Sequence, residues 1–379
     1  MKKHNLTKKY KSTAAALLGA AVVLACTVYA SAQKTEGPAF LKGNVRDLSA
    51  RAGGLTEKFA AAKSEAGKSG VKGTYFTAAR FQARDKIRYG RRGETGGDYT
   101  VTVSDTRIKI REKNRDNLII SDGDEIRSAG PAVWLLLCDG STGDPIDAML
   151  LDPERDYEVA GAPVVWLGDA AGNESLDLIE KLTWANSKPK TRESLLFILS
   201  RHAEPRVHDV LQRLALEDGS QAVRRSAIFW LGNLGDARSL AGLKAIFKKE
   251  RDTDVKEHIV FALTLSKERD AVIEMIRIAK EEDDRSVREK AVFWLGQKAS
   301  AESVKALRDI VQEPTEEERI KEQAVFAISQ LPKDKSVPML IDIAKANKSA
   351  SVRKKAMFWL GQTGDPAALK FFEDILLKR

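Results

Sequence analysis

The stretch Val223-Arg224-Arg225-Ser226-Ala227-Ile228-Phe229-Trp230-Leu231-Gly232-Asn233-Leu234-Gly235-Asp236 decides the fold, because it recurs. Phe197, Phe229, Phe261, Phe293, Phe326 and Phe358 follow one another at spacings of 32, 32, 32, 33 and 32. Just upstream of each lie Thr191-Arg192, Val223-Arg224, Val255-Lys256, Val287-Arg288, Ile320-Lys321 and Val352-Arg353; two residues downstream lie Leu199, Leu231, Leu263, Leu295, Ile328 and Leu360. One period earlier, Val165-Trp166-Leu167-Gly168 falls in the same register with Val in place of Phe, which gives seven units from about Pro163 onward. Self-similarity at such a period is the signature of a stacked array.

Each unit reads as two helices. At 100° per residue, Ala227, Trp230 and Leu234 fall within about 40° of Val223, while Ile228 and Phe229 spread the apolar surface over most of the circumference. A helix that apolar needs neighbours on several sides, so Phe197, Phe229, Phe261, Phe293, Phe326 and Phe358, with Trp166, Trp230, Trp294 and Trp359, are expected as repeat core. The second helix is amphipathic: Leu240, Leu243 and Phe247 in one unit, Val304 and Leu307 in another, Val337 and Leu340 in a third. Gly235-Asp236, Lys333-Asp334 and Gly364-Asp365 supply the turns. Stacked hairpins with a continuous core make an α-solenoid.

The pattern Val-Arg-x-x-Ala-x-x-x-Leu-Gly, then Gly-Asp, then a leucine-rich helix resembles the HEAT repeat of the short bacterial kind, the PBS-lyase-type HEAT-like repeat named after phycobilin-attaching enzymes. The resemblance covers residues 163–379. It implies a mainly α protein, a right-handed α-solenoid that presents a protein-binding surface, and it does not by itself imply lyase chemistry. Two features ride on the repeat. The residue after each Phe alternates as Trp166, Ile198, Trp230, Ala262, Trp294, Ala327, Trp359. This is expected to compensate volume, a large ring lying over a small residue of the next unit; the other reading is a row of exposed indoles that grips a ligand. The basic residues Arg192, Arg224, Lys256, Arg288, Lys321 and Arg353 form a ladder, expected to be structural, each pairing an acid before its own helix: Asp218, Asp252 or Asp254, Asp284 and Glu317. The other reading of the ladder is a positive stripe for an acidic partner.

Residues 1–32 carry five lysines and no acid, then the small-residue apolar run Ser12–Tyr29 and Ala30-Ser31-Ala32, a cleavage signal. The expectation is an exported chain, periplasmic or extracellular, cut after Ala32 and without a membrane span thereafter; a lipid anchor at Cys26 is the competing form. The chain of 379 residues has net charge +9, of which the leader holds +5 and residues 33–127 hold +7, while 128–379 are slightly acidic. That distribution does not point to nucleic acid. Residues 33–70, rich in Ala, Gly, Lys and Ser, read as a flexible or loosely helical linker. Residues 71–160 switch to period two around Tyr99, Val101 and Val103 and around Ile108 and Ile110. With Leu118-Ile119-Ile120, Val133–Cys138, Met149–Leu151 and Tyr157–Val159 they make a small, mostly antiparallel β-module before the array of 161–379. Arg91–Gly97 and Asp122-Gly123 are its turn material.

The search for chemistry finds no catalytic, cofactor or metal residues. Ala62-x-x-x-x-Gly67-Lys68-Ser69 fits the loose P-loop pattern but lacks the flanking strand and helix that phosphate binding needs. His202 and His208 are six apart rather than on one helical face, and His258 falls in a variable slot. Asp139–Asp144 lacks the alternating oxygens of a calcium loop. Cys138, the one cysteine after Ala32, sits in an apolar run and reads as a buried small hydrophobe. The composition, 43% hydrophobic and 31% charged, is that of a folded chain. The expectation is a non-enzymatic, exported scaffold without cofactor, binding a protein or extended peptide through its second helices and turns. Two alternatives stay open: an enzyme or carrier handling a small molecule or chromophore, as the phycobilin lyases do, or a β-module that recognises the partner while the array serves as spacer.

Overall fold

The computed structural model describes residues 37–68, 73–84, 99–103, 106–113, 130–171 and 173–377. The leader with Ala32 and Cys26, Ser69, the turn Arg91–Gly97 and the segment Leu118–Gly123 lie outside the described residues.

A sheet comes first: β1 (Leu41–Asp47), β2 (Thr74–Ala83), β3 (Tyr99–Val103), β4 (Thr106–Lys113), β5 (Gly130–Asp139), β6 (Pro145–Leu151) and β7 (Asp156–Asp169). Its order is β3-β4-β7-β2-β5-β6, with β1 also on β7. The pairs β2–β5, β3–β4, β4–β7 and β5–β6 are antiparallel, whereas β1 and β2 run parallel to β7. The sheet is therefore mixed. Parallel partners need a crossover rather than a hairpin, and helix α1 (Leu55–Gly67) lies between β1 and β2 in the chain.

Two expectations change here. The stretch expected as a linker carries β1 and α1, and Leu55, Ala62 and Ala66 of α1 are buried. Its small side chains let the helix lie close against the sheet, so poverty in large apolar residues did not mean looseness. The supposed first repeat, Val165-Trp166-Leu167-Gly168, is part of β7. Val164 and Trp166 join one apolar cluster and Val165 and Leu167 the other, the period-two, two-sided burial of a central strand. Gly168 has φ +93° and packs against Ser49; it serves the strand and not a helix–helix contact.

The array begins at α2 (Glu174–Ala185), followed by six hairpins. Their first helices are α3 (Pro189–Arg201), α5 (Gln221–Leu234), α7 (Thr253–Leu265), α9 (Arg285–Lys298), α11 (Glu318–Ser329) and α13 (Ala350–Gln362). Their second helices are α4 (Val207–Glu217), α6 (Ala237–Lys249), α8 (Arg269–Glu281), α10 (Ala301–Gln312), α12 (Lys333–Ala346) and α14 (Pro366–Leu377). Among the described residues the array holds six units and a single leading helix, not seven units. Gly235, at φ +76°, ends α5 in the left-handed conformation that favours glycine. Aspartates at Asp236, Asp252 and Asp284 cap the helices that follow them. The one spacing of 33 is explained by the longer turn 313–317 between α10 and α11.

Sheet and array share one core. Ala132, Trp134, Leu136 and Cys138 of β5 face the helices and belong to a cluster that continues through every hairpin to Phe371, while Val133, Leu135 and Leu137 serve the other face. The junction is also stitched by backbone bonds: Arg84 N–H donates to the Arg201 carbonyl (2.9 Å) and Ala203 N–H to Gln82 (3.2 Å). Asn186 donates to the Pro145 carbonyl (2.7 Å) and Thr191 to that of Ile146 (3.0 Å).

Candidate binding surface

The first helices alternate between two kinds. In α5, α9 and α13 Phe is followed by Trp-Leu-Gly; in α3, α7 and α11 it is followed by Ile or Ala, then Leu or Ile, then Ser or Thr. Ser200, Thr264 and Ser329 donate back to the carbonyls of Phe197, Phe261 and Phe326 at 2.7, 2.6 and 2.7 Å. Two junctions result. Phe197, Phe261 and Phe326 each meet the tryptophan of the next unit, with ring centroids at 5.2, 5.1 and 5.1 Å. Phe229 and Phe293 stack on the Phe of the next unit at 6.3 and 6.4 Å, both with planes 15° apart.

The rings thus form a continuous row along the first helices that, apart from buried Trp230, lies at the edge of the core and not inside it. Phe197, Phe229, Phe261, Phe293 and Phe326 are half-buried, Phe358 is 54% exposed, and Trp294 and Trp359 are half-buried; Trp230 alone of the array tryptophans is buried. Trp166, on the strand β7, is buried against Phe40 and takes no part. The correction has a simple cause. Phe229 stands about 120° around the helix from the Val223 stripe, and a repeat period marks a surface row as strongly as a core. The alternation also works differently from simple volume compensation. Each Trp lies on the preceding Phe, and the small Ala262 and Ala327 meet glycines instead.

Beside the row lie two equivalent grooves, one pair of units apart. One, of about 330 Å³, is lined by Arg225, Asp254, Glu257, His258, Lys290 and the Phe261–Trp294 pair. The other, of about 420 Å³, is lined by Glu289, Glu318, Arg319, Glu322, Lys355 and the Phe326–Trp359 pair, with Gln323 in place of the histidine. The indole N–H groups of Trp294 and Trp359 and Nε2 of His258 are enclosed without a partner among the described residues. Burial, followed by the nearby Arg225 charge, lowers the His258 pKa. The grooves went unseen in the sequence. Their trace there is Glu257 and Glu322, and Lys290 and Lys355, each repeating 65 residues apart.

The basic ladder lies on the other side of the first helices, and its acids are one unit further on than expected. Arg192 pairs with buried Asp218, Arg224 with Glu250 (3.9 Å), Lys256 with Glu282 (2.6 Å), and Arg288 with Glu316 and with Glu317 (3.6 Å). Antiparallel packing returns the end of the second helix to the start of the first, so the acid following the hairpin is the near one. The same cations donate backward to carbonyls at the end of the preceding helix: Arg192 to Thr183 (2.9 Å), Arg224 to Asp218 (3.3 Å), Arg288 to Ala279 (3.0 Å), Arg353 to Asn347 (2.7 Å). Lys321 donates to the Pro314 carbonyl at 3.4 Å. A cation between helix C-termini is favoured by both dipoles.

The remaining candidates sit apart from this surface. His202 is buried in the junction: its Nδ1–H donates to the Ile198 carbonyl (3.0 Å), Nε2 accepts from the Ser175 hydroxyl (2.8 Å), and that oxygen accepts from the Trp134 indole (2.9 Å). Burial pushes its pKa down to about 4. His208 faces Asp236 at 3.0 Å. Cys138 is fully buried, and burial raises its thiol to about 12. Ala62–Gly67 is helical, which is not the geometry of a phosphate loop. Asp139 turns its carboxylate onto the Ser141 and Thr142 amides at 2.7 and 3.0 Å, a closed turn. Among the described residues no three His, Cys, Asp or Glu side chains cluster as metal ligands, and no helix is long and apolar enough to cross a membrane.

Residues 175–264 and 270–349 match the family described as HEAT repeats. No curated protein matches the chain. Among solved structures, human deoxyhypusine hydroxylase in complex with glycerol is similar at 16% identity over 54% of this chain and 92% of that one, with a TM-score of 0.27. The complex of CpcE and CpcF of phycocyanin lyase from Nostoc sp. PCC7120 is similar at 20% identity over 52% and 79%, with a TM-score of 0.29.

Proposed function

Taking an array of HEAT repeats as the premise, we propose that the protein is an exported, non-enzymatic scaffold that binds another protein along its first helices. The observation that carries this reading is the half-buried aromatic row with its two grooves. Aromatic side chains held rigidly at a surface give large contact area at little ordering cost, which is what binding hot spots require. The expected contact surface moves accordingly from the second helices, where among the described residues Ile273 alone of the large apolar side chains is exposed before α14, to the first. The ladder, its charges turned inward onto acids and carbonyls, is structural in this reading. Export rests on the leader, and cleavage after Ala32 predicts a mature chain beginning at Gln33.

The test is cross-linked capture from the source organism's envelope and secreted fraction, with the mature chain and its Trp294→Phe/Trp359→Phe variant as baits. A protein captured by the first and lost with the second supports the scaffold. A partner retained by both places binding elsewhere, and a coloured or metal-loaded protein without any partner overturns the reading. N-terminal sequencing of the native protein checks export.

A further inference from the structure

The three Phe–Trp pairs have nearly one geometry, their planes tilted by 44°, 41° and 44°. The first is already occupied by a cation of the chain itself. The guanidinium of Arg201 stands 5.3 Å from the Phe197 ring centroid and 5.2 Å from that of Trp230. Arg201 follows Phe197 by four residues. The same offset from Phe261 and Phe326 gives Leu265 and Gln330, which carry no charge. The later pairs repeat the aromatic geometry without the arginine.

The charges around those two pairs differ. At Phe261–Trp294 the cations Arg225 and Lys290 offset Asp254 and Glu257, and Lys290 is bound to Glu257 at 3.2 Å. At Phe326–Trp359 three carboxylates, Glu289, Glu318 and Glu322, face Arg319 and Lys355. Arg319 is committed to Glu289 at 2.5 Å. Glu318 has no ion-pair partner among the described residues, and Glu322 accepts the Ser351 hydroxyl. Three carboxylates therefore face two cations, with Arg319 bound to Glu289 and attracted also by Glu322, which leaves one negative charge in excess beside rings of a type that hold a guanidinium elsewhere in the molecule.

We infer that the groove at Phe326 and Trp359 binds an arginine side chain on an extended segment of the partner protein. The planar guanidinium stacks on the rings and turns its N–H groups toward Glu318 and Glu322. Arginine fits better than lysine because its flat, weakly hydrated head stacks on aromatic faces and divides several donors between two carboxylates. The inference rests on the scaffold reading, since it names what that surface recognises.

The experiment uses the full ¹⁵N-labelled chain, whose six tryptophans give six indole N–H signals, with Trp359→Phe assigning one of them. The probes are acetyl-Gly-Ser-Arg-Gly-Ser-amide and the same peptide with citrulline, which keeps the shape and removes the charge. The Trp359 signal is expected to shift with the arginine peptide, about tenfold more weakly with citrulline, and more weakly at high salt. Glu318→Gln and Glu322→Gln each weaken the response about 3- to 10-fold with an unchanged melting temperature. An unmoved Trp359 signal at ~10 mM peptide, or an equal response to citrulline, overturns the proposal. A captured partner that binds Glu318→Gln/Glu322→Gln protein as tightly as the original leaves the scaffold standing and removes this inference alone.

Discussion

Gly232 lies so close to Ala262 that a β-carbon on it would come within 2.7 Å of the Ala262 carbonyl oxygen and 2.9 Å of its β-carbon. Gly296 repeats the relationship with Ala327 at 2.8 and 3.0 Å. Consecutive first helices approach at these points with backbone against backbone, closer than any side chain permits.

Gly232→Ala and Gly296→Ala should therefore each destabilise the fold by about 1–3 kcal/mol, although alanine is the better helix former. Gly361 occupies the same position in α13 but meets only Phe372, at 4.0 Å. Gly361→Ala should be neutral or slightly stabilising, within about 1 kcal/mol. Urea unfolding of the three variants separates crowding from propensity.

His202 makes the junction sensitive to acid. Its folded pKa of about 4 lies below the ordinary imidazole value of 6.5, so the unfolded chain takes up the proton first. The stabilisation is complete above pH 6.5 and is lost as the pH falls from there toward 4, by roughly 3 kcal/mol in all. His202→Gln should flatten that part of the stability curve and lower its neutral plateau. Melting temperatures between pH 4 and 7.5 for both proteins decide this, and parallel curves would dismiss it.

The Asp218 side chain is fully buried against Arg192, whose side chain is 13% exposed. Removing one partner strands the other, so Asp218→Ala should cost about 3–5 kcal/mol. Replacing both, as Arg192→Met with Asp218→Leu, should recover a large part of that loss. A binding role for the ladder predicts the opposite pattern: stability intact and partner capture lost.

Trp230 is the buried member of its row, and Trp230→Ala should cost ~3–5 kcal/mol. Trp359→Ala, at a half-buried ring, should cost less than half as much. A calorimetric comparison in which the two lose equally would place Trp359 in the core after all.

The array was legible in the sequence because a period fixes register: once Phe229 and Phe261 align, every helix of 189–377 follows. The same period could not say which way Phe229 faces, since core and surface rows repeat equally. Nor could it select Asp218 as the partner of Arg192 over that of Arg224, because that choice depends on the antiparallel return of α4. Val165–Gly168 shows the converse weakness. Three matching letters, Trp166-Leu167-Gly168, outweighed the Ala160 and Pro163 that stand where true units carry the basic residue and the Ala. The parallel pairing of β1 and β2 with β7 joins segments about 90 to 120 residues apart and leaves no local trace. The grooves needed the alternation of unit types to be read together with charge, at the Glu257/Glu322 and Lys290/Lys355 positions.

The two kinds of junction also set how such a gene can lengthen. Copying one hairpin of about 32 residues would place a glycine-bearing helix against another of its own kind, or an alanine-bearing helix likewise, and neither interface exists in the array. Copying two hairpins inserts one junction of each sort and leaves every neighbour matched. The inheritable step is therefore the 64-residue doublet that separates Trp230 from Trp294. Natural length variants of this protein should differ by whole doublets, a regularity that comparison of their reading frames can check without purifying any of them.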